Sequence, residues 1–386
     1  WMNGDIKLAT LSDTDTTSAV GAELVANGTF ASDTDWTKGT GWTISGGTLN
    51  IADETTSSAV YNSGGSVLDP SKSYIVTFTI SASTANFGVQ VRLSNSSGTY
   101  RYTPGTYYTA DGTYSVTIGA GSFTAVDALM GFYRVGSHTG SLSIDNVSVK
   151  VADADRSVNN NALIVNGTIT KTAVETGADL VGYSGFSASN YLEQPYNSGM
   201  QFGTGNFCIM GWFKATDSGA TQMLFGDYAS GTPYTEIMIL TTTGKFRFNT
   251  HDGTTNNDVY STAPVDVRDN VWRCFAAVKD GSVKTLYLNG VFQSSATLAT
   301  NNTLTSGHPW RIGNEAGGAV ASNTSLALIR ASATAPTAAQ IAKIYEDEKF
   351  LFQENAGAVL HGTSDAVTAL AHDSATDLLH VGTSQG

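Results

Sequence analysis

Few residues in this chain are placed to do bond-making chemistry. Its 386 residues include 33 Asp and Glu, six His and two Cys. Hydrolysis needs paired carboxylates at fixed spacing, or a nucleophile within reach of a base. The densest acidic run, Glu346-Asp347-Glu348, falls in a helical pattern. Consecutive helical residues point different ways, so the run reads as a solvated face. His138, His251, His308, His361, His372 and His380 show no His-Glu-x-x-His spacing, and no Gly-x-Ser-x-Gly elbow or phosphate loop occurs. His361, His372 and His380 gather near the C-terminus and read as polar surface, with a metal site as the alternative. Cys208 and Cys274 lie in apolar, strand-like runs and read as buried thiols, with a disulfide between them as the alternative.

Binding asks less of a sequence. Sugar rings present apolar C–H faces that stack on aromatic planes, while amides and carboxylates bond the hydroxyls. Tyr100-Arg101-Tyr102 followed by Tyr107-Tyr108 is the densest aromatic stretch of the N-terminal half. In a strand, Tyr100 and Tyr102 share one face and Arg101 takes the other. These rings read either as core or packing aromatics or as a ligand platform. Trp36 and Trp42 read as core plugs. Further along, Tyr228, Tyr234, His251, Asp252, Asn256, Asn257, Asp258 and Trp310 fall on loop-like segments.

Composition narrows the classes. Lys and Arg number 20, the formal net charge is −13, and charged residues are 14% of the chain, against about 25% in an average soluble domain. Ser and Thr come to about 90 residues and Gly to 41, so hydroxyls and amides do most of the wetting. An acidic chain with few cations lacks the footprint for nucleic acid or for an anionic membrane surface. No apolar run approaches the ~20 residues of a spanning helix. The Thr, Ser, Gly and Val bias favours short strands and turns over helical bundles.

These elements must position the candidates. Period-2 runs such as Tyr74–Ile80, Phe87–Leu93, Tyr114–Ile118 and Leu142–Val149 predict an all-β region over 21–151, built as a two-sheet sandwich. Residues 1–20 read as an N-terminal strand and linker, and 152–162 as a second linker. A second all-β region covers 163–356, with strands over Phe207–Phe213, Glu236–Leu240, Lys245–Asn249, Trp272–Lys279 and Thr285–Leu288. Asp280-Gly281 and Asn289-Gly290 are hairpin signals, because type I′ turns need positive φ at both central residues. Thr337 and Gln340 form a capping box for a helix over 338–353. Residues 357–386 read as one hairpin with nothing left in the chain to pair with. The chain begins at Trp1, without Met and without a leader, and reads as a piece of something longer.

Two resemblances follow from these residues. Glu23–Phe30, Trp36, Gly41-Trp42-Thr43 and Ser143–Val147 resemble the jelly-roll carbohydrate-binding modules found beside glycanases and in phage tail proteins. Relatives place an acidic residue after Asn-Gly-x-Phe to hold calcium with the closing-strand acid; Ala31 stands there, leaving Asp145 without its companion. Phe207–Phe213, Trp272 with Ala277–Gly281, Leu286–Val291, Arg311-Ile312-Gly313 and Pro336–Tyr345 resemble the laminin-G-like, concanavalin A-type sandwich. That fold also hosts laminarinase-like glucanases, whose Glu-x-Asp-x-x-Glu signature is absent. Ala366–Leu370 and Leu379–Ser384 resemble a β-propeller blade edge, with Trp1–Leu8 as a matching strand. The combination is similar to large phage tail and fibre proteins.

The resemblances imply a non-enzymatic virion component, a tail fibre or adhesion appendage exposed on the particle and binding host surface glycan. A secreted bacterial adhesin and a decoration without ligand are the alternatives. Expected partners are host-cell glycan, other virion proteins and further copies of the chain, a trimer first. No cofactor is required, and calcium is the one candidate. The ligand-binding candidates are Tyr100, Tyr102, Tyr107, Tyr108, Tyr228, Tyr234, His251 and Trp310; the metal candidates are Asp145, Asp252 and Asp258.

Overall fold

The computed structural model describes residues 5–52, 57–84, 87–134, 140–159, 161–228, 233–298, 304, 306–315 and 323–357, and the backbone of Val367–Asp373 and Leu378–Thr383. The chain is all-β with one α-helix among these residues.

The first sandwich packs two antiparallel five-stranded sheets. One runs in the order Trp42–Ser45, Thr48–Ala52, Ser141–Asp153, Ser73–Ser81, Gly112–Ile118. The other runs Thr37–Lys38, Ser58–Tyr61, Leu129–Arg134, Gln90–Ser94, Tyr100–Tyr102. Alternation sends Val76, Phe78 and Ile80 from one sheet, and Val91, Leu93 and Phe132 from the other, into a single core. Trp36 and Trp42 lie in that core, as expected of core plugs.

The second sandwich has a front sheet ordered Thr324–Ser332, Phe207–Ala215, Arg273–Asp280, Val283–Leu288, Val291–Thr297. Its back sheet runs Leu163–Ala173, Tyr191–Gln194, Trp310–Ile312, Gln222–Gly226, Pro233–Ile239, Phe246–Asp252, Asn256–Tyr260. Phe207, Phe213, Phe225, Phe246, Phe248 and Phe275 fill the space between them. Asn289 and Gly290 both take positive φ, 48° and 75°, which closes the hairpin their sequence signals. Cys208 and Cys274 are buried free thiols, and burial pushes the Cys208 thiol up to about 12.

Three expectations about the ends change. The expected N-terminal strand is present and, with its following segment, joins the second sandwich: Ile6–Thr10 pairs antiparallel with Thr324–Ser332 at the edge of the front sheet, and Ala19–Gly21 pairs with the strand Leu163–Ala173. Residues 152–162 are not a loose linker. Asp155 accepts hydrogen bonds from the backbone N–H of Ala9, Ser157 and Asn161. Asn159 and Asn161 donate to the carbonyls of Ile6 and Lys7. Asp153 accepts from the Thr10 hydroxyl, the Leu11 N–H and the Tyr183 hydroxyl. Polar residues that look like solvent-facing linker in sequence are consumed here by the backbone of a strand some 145 positions away.

The third change concerns the helix, which spans Ala338–Glu348 and tightens into a 3₁₀ turn over Lys349–Phe352. The Thr337/Gln340 capping box is present. Glu348 is not part of a solvated face. It accepts two bonds from Arg330, at 2.5 and 2.8 Å, and one from Trp212 Nε1 at 2.8 Å. Glu346 and Asp347 are exposed. At the C-terminus, Val367–Asp373 and Leu378–Thr383 pair with each other. The blade-edge comparison for Trp1 and the side chains of His361, His372 and His380, with His138, lie outside the described residues.

Candidate functional site

The back sheet of the second sandwich turns one face to the core and the other away from it. Ile237, Ile239, Phe246, Phe248 and Val259 take the core face. Alternation then puts Tyr234, Glu236 and Met238, Arg247, Asn249 and His251, and Asn256, Asp258 and Tyr260 on the opposite face. Register groups them into rows: Tyr234, His251 and Asn256 are cross-strand neighbours, as are Glu236, Asn249 and Asp258.

In the first row the rings stack. The Tyr234 and His251 ring centroids are 4.7 Å apart with planes 4° from parallel, and Tyr228 meets Tyr234 edge-on at 4.8 Å. The Gly253 N–H donates to His251 Nδ1 at 3.0 Å, which leaves Nε2 as the position for the proton of the neutral ring. The Tyr234 hydroxyl donates to Asn256 Oδ1 at 2.9 Å, and Asn249 Nδ2 donates to the same oxygen and to Glu236 Oε2, at 3.1 and 3.2 Å. Asn249 Oδ1 is buried without a partner. Burial pushes the Glu236 carboxyl up to about 7; the Asn249 bond and Arg247 oppose this, while Glu315 and Asp258 add to it. Both Glu236 and Asn249 are buried, and a half-protonated carboxyl can both donate and accept.

Along the same row Gly226 separates Glu236 from Arg311. A Cβ at Gly226 would lie 2.8 Å from the Thr235 carbonyl oxygen. Arg311 is held by Glu193 at 2.7 Å and covers the Tyr191 ring at 4.5 Å. Past the strand end, Asp227 is buried and accepts from the Thr235 N–H at 2.6 Å. Burial pushes it up to about 7, against bonds from Ser306 and Thr235.

Residues 186–342 match the concanavalin A-like lectin/glucanases superfamily. The ring stack and the Glu236 row lie within that stretch. The second sandwich accordingly has the concanavalin A-like fold. No curated protein matches the chain. Among solved structures, the chain is similar to the binding domain of Paraclostridial Mosquitocidal Protein 1, at 15% identity and a TM-score of 0.43, over 50% of this chain and 49% of that one. It is similar to the receptor binding domain of botulinum neurotoxin C/D mosaic serotype, at 13% and 0.42, over 51% and 49%. It is also similar to the botulinum neurotoxin serotype D ligand binding domain in complex with N-acetylneuraminic acid, at 12% and 0.43, over 51% and 48%. The chain spans about half the length of these solved chains.

The structure brings Tyr228, Tyr234 and His251 together and disperses the other candidates. Trp310 is not on a loop: it is 2% exposed, stacks on Phe225 at 4.9 Å and donates Nε1–H to the Met200 carbonyl. Tyr234, His251 and Asp252, and Asn256, Asn257 and Asp258, stand on strands, not loops. Asp258 is engaged by Arg247 at 2.6 Å and by the Tyr260 hydroxyl at 2.8 Å. Asp252 holds a turn through Thr254 and Thr255, and Asp145 accepts from the next residue's N–H. Among the described residues no three His, Cys, Asp or Glu come together as a metal site.

In the first sandwich Tyr100 and Tyr102 do not share a face. A register shift between Leu93 and Ser94 lies opposite them. Tyr102 packs against the core near Phe123, and Tyr100 lies on the outside over Arg92. Tyr108 packs against Phe78 and Tyr114, whereas Tyr107 is 49% exposed. Sequence reasoning missed Glu236, Asn249, Arg92 and Tyr133. Strand alternation was the available signal for Glu236, since it sits between Thr235 and Ile237 on the face opposite the core.

Proposed function

We propose that the chain is a non-enzymatic glycan-binding module of a phage virion appendage, a tail fibre or adhesion protein that contacts the host surface. The observation that carries the binding part is the Tyr228–Tyr234–His251 stack bordered by the Glu236–Asn249–Asn256 network. Rings supply apolar planes for sugar C–H faces, and the carboxyl, amides and imidazole N–H supply the directional bonds. Its location in a stretch matching a lectin and glucanase superfamily supports the reading. The virion part is supported by the combination of two sandwiches with a self-paired terminal hairpin. Such appendages act through many weak sites on repeated copies.

The test is calorimetric titration of the full chain with host envelope polysaccharide fragments, repeated for Tyr228→Ala and His251→Ala. Saturable binding that both variants weaken supports the reading. Binding unchanged in both, or none in the parent chain, refutes it and leaves a purely structural decoration. Glu236 favours a second reading, glycoside hydrolysis, because a carboxyl near 7 suits a general acid. Its cross-strand row neighbour Asp258 is tied to Arg247 and Tyr260, and Glu315 also acts on Glu236. New reducing ends after prolonged incubation, lost in Glu236→Gln, would establish that reading.

A further inference from the structure

Arg92 stands in the strand Gln90–Ser94 of the first sandwich. Val91 and Leu93 on either side enter the core, so alternation turns Arg92 outward. Its guanidinium carbon lies 4.3 Å from the Tyr133 ring centroid and 5.2 Å from that of Tyr100. The side chain is half-buried, and Nε is shielded from solvent with no hydrogen-bond partner. Among the described residues it has no acidic partner either. Other arginines contrast with it: Arg101, Arg247, Arg268, Arg273, Arg311 and Arg330 are each bonded to a carboxylate. Tyr100 is 51% exposed, and the Ser94 hydroxyl, opposite Tyr100 in register, is buried without a partner.

Two tyrosine faces flank the cation, but they do not engage the N–H donors of its fork. With no acidic partner among the described residues, the planar fork is left to an external anion. A carboxylate matches that fork bidentately, and flanking tyrosines accept the apolar face of a sugar ring. We propose that Arg92, Tyr100 and Tyr133 form a binding site for an acidic saccharide, with the sugar carboxylate on the Arg92 guanidinium. This goes beyond the glycan-binding reading by placing a second, charge-selective saccharide site on the first sandwich. It uses a different sandwich from the Tyr228–Tyr234–His251 stack, so the two fail separately.

The experiment titrates the full chain with oligogalacturonate and with a hyaluronate tetrasaccharide, each beside its carboxyl-reduced form, and with sodium acetate and sodium sulfate alone. The acidic form is expected to bind at least about tenfold more tightly than the reduced form, as loss of a charge-assisted pair requires. Arg92→Gln and Arg92→Lys should each lose about tenfold or more, because a point charge does not replace the fork. Tyr100→Ala should weaken binding. Equal affinity for reduced and acidic forms overturns the proposal. So does unchanged affinity in Arg92→Lys, acetate or sulfate binding as tightly as the saccharide, or no binding of either acidic oligosaccharide. If Arg92→Gln fails to fold, the exposed Tyr100→Ala and the charge-preserving Arg92→Lys carry the test.

Discussion

Replacing Glu348 by Gln separates two forces that hold the closing helix on the front sheet. The carboxylate takes both Arg330 bonds and the Trp212 indole bond, and the two side chains are only 14% and 15% exposed. An amide can still accept from Trp212 and from one arm of Arg330, but it cannot balance the guanidinium charge. Breaking a buried pair by removing one partner costs about 3–5 kcal/mol, since the survivor stays desolvated. Residual solvent contact puts this case near the lower figure, ~3 kcal/mol. The apolar stripe of the helix buries Ile341 and Ile344, at about 1.5–3 kcal/mol each, so the pair is comparable in size to the stripe. Urea unfolding followed by tryptophan emission reads the change, with Trp212 stacked on Phe352 at 4.0 Å as a reporter. With a slope of ~2–3 kcal/mol/M the midpoint should fall by about 1 M. The double variant Arg330→Met with Glu348→Leu should recover most of the loss, because an apolar pair carries no desolvation cost. A loss below ~1 kcal/mol in Glu348→Gln, or a double variant no more stable than the single one, would refute the reasoning.

Further outcomes follow from the same physics. Lys284 is fully buried between the Phe248 ring and backbone carbonyls, and burial pushes it down to about 7. Its folded pKa lies below its unfolded value, so its destabilising effect is full below pH 7 and fades as pH rises toward 10.5. Lys284→Met should therefore gain several kcal/mol at pH 7, up to ~5, and flatten the rise in stability between pH 7 and 10, read by melting across pH. Glu236 shifts upward, so the folded state binds its proton more tightly, and stability falls as pH climbs from 4.5 through 7. Glu236→Gln should match the parent near pH 4 and exceed it by about 3 kcal/mol at pH 8. Asp155→Ala should open residues 154–161 to limited proteolysis while leaving the melting of each sandwich within about 2 kcal/mol; an uncut joint would show that the other contacts suffice.

Much of the architecture was legible from local signals. Period-2 alternation located the strands that build both cores, Asn289-Gly290 located a hairpin, and Thr337 with Gln340 located the helix start. These are contacts between residues close in sequence or patterns set by one buried face. What was not legible depends on distant partners. Ile6–Thr10 reads as an isolated strand because its partner lies at 329–332. Glu348 reads as a surface acid because Arg330 and Trp212 arrive from other strands. Trp310 reads as a loop aromatic because only the fold shows Phe225 beneath it. At the candidate sites, Tyr234 and His251 read as loop residues but stand on paired strands, and only their register brings them together with Tyr228. The unpaired state of Arg92 is a property of its whole surroundings, and no local pattern signals it.

The pairing of Ile6 with Ser332 has a consequence for the order of assembly. The front sheet of the second sandwich pairs two strands that lie more than 300 positions apart in the chain. Until Thr324–Ser332 emerges, Ile6–Thr10 has no sheet to join, whereas the first sandwich has every one of its strands by Asp153. Contacts of such separation form late, because loop closure must precede them. The N-terminal strand therefore waits as an exposed edge while its neighbour folds. That interval is when the nascent chain is most open to pairing with a second copy of itself.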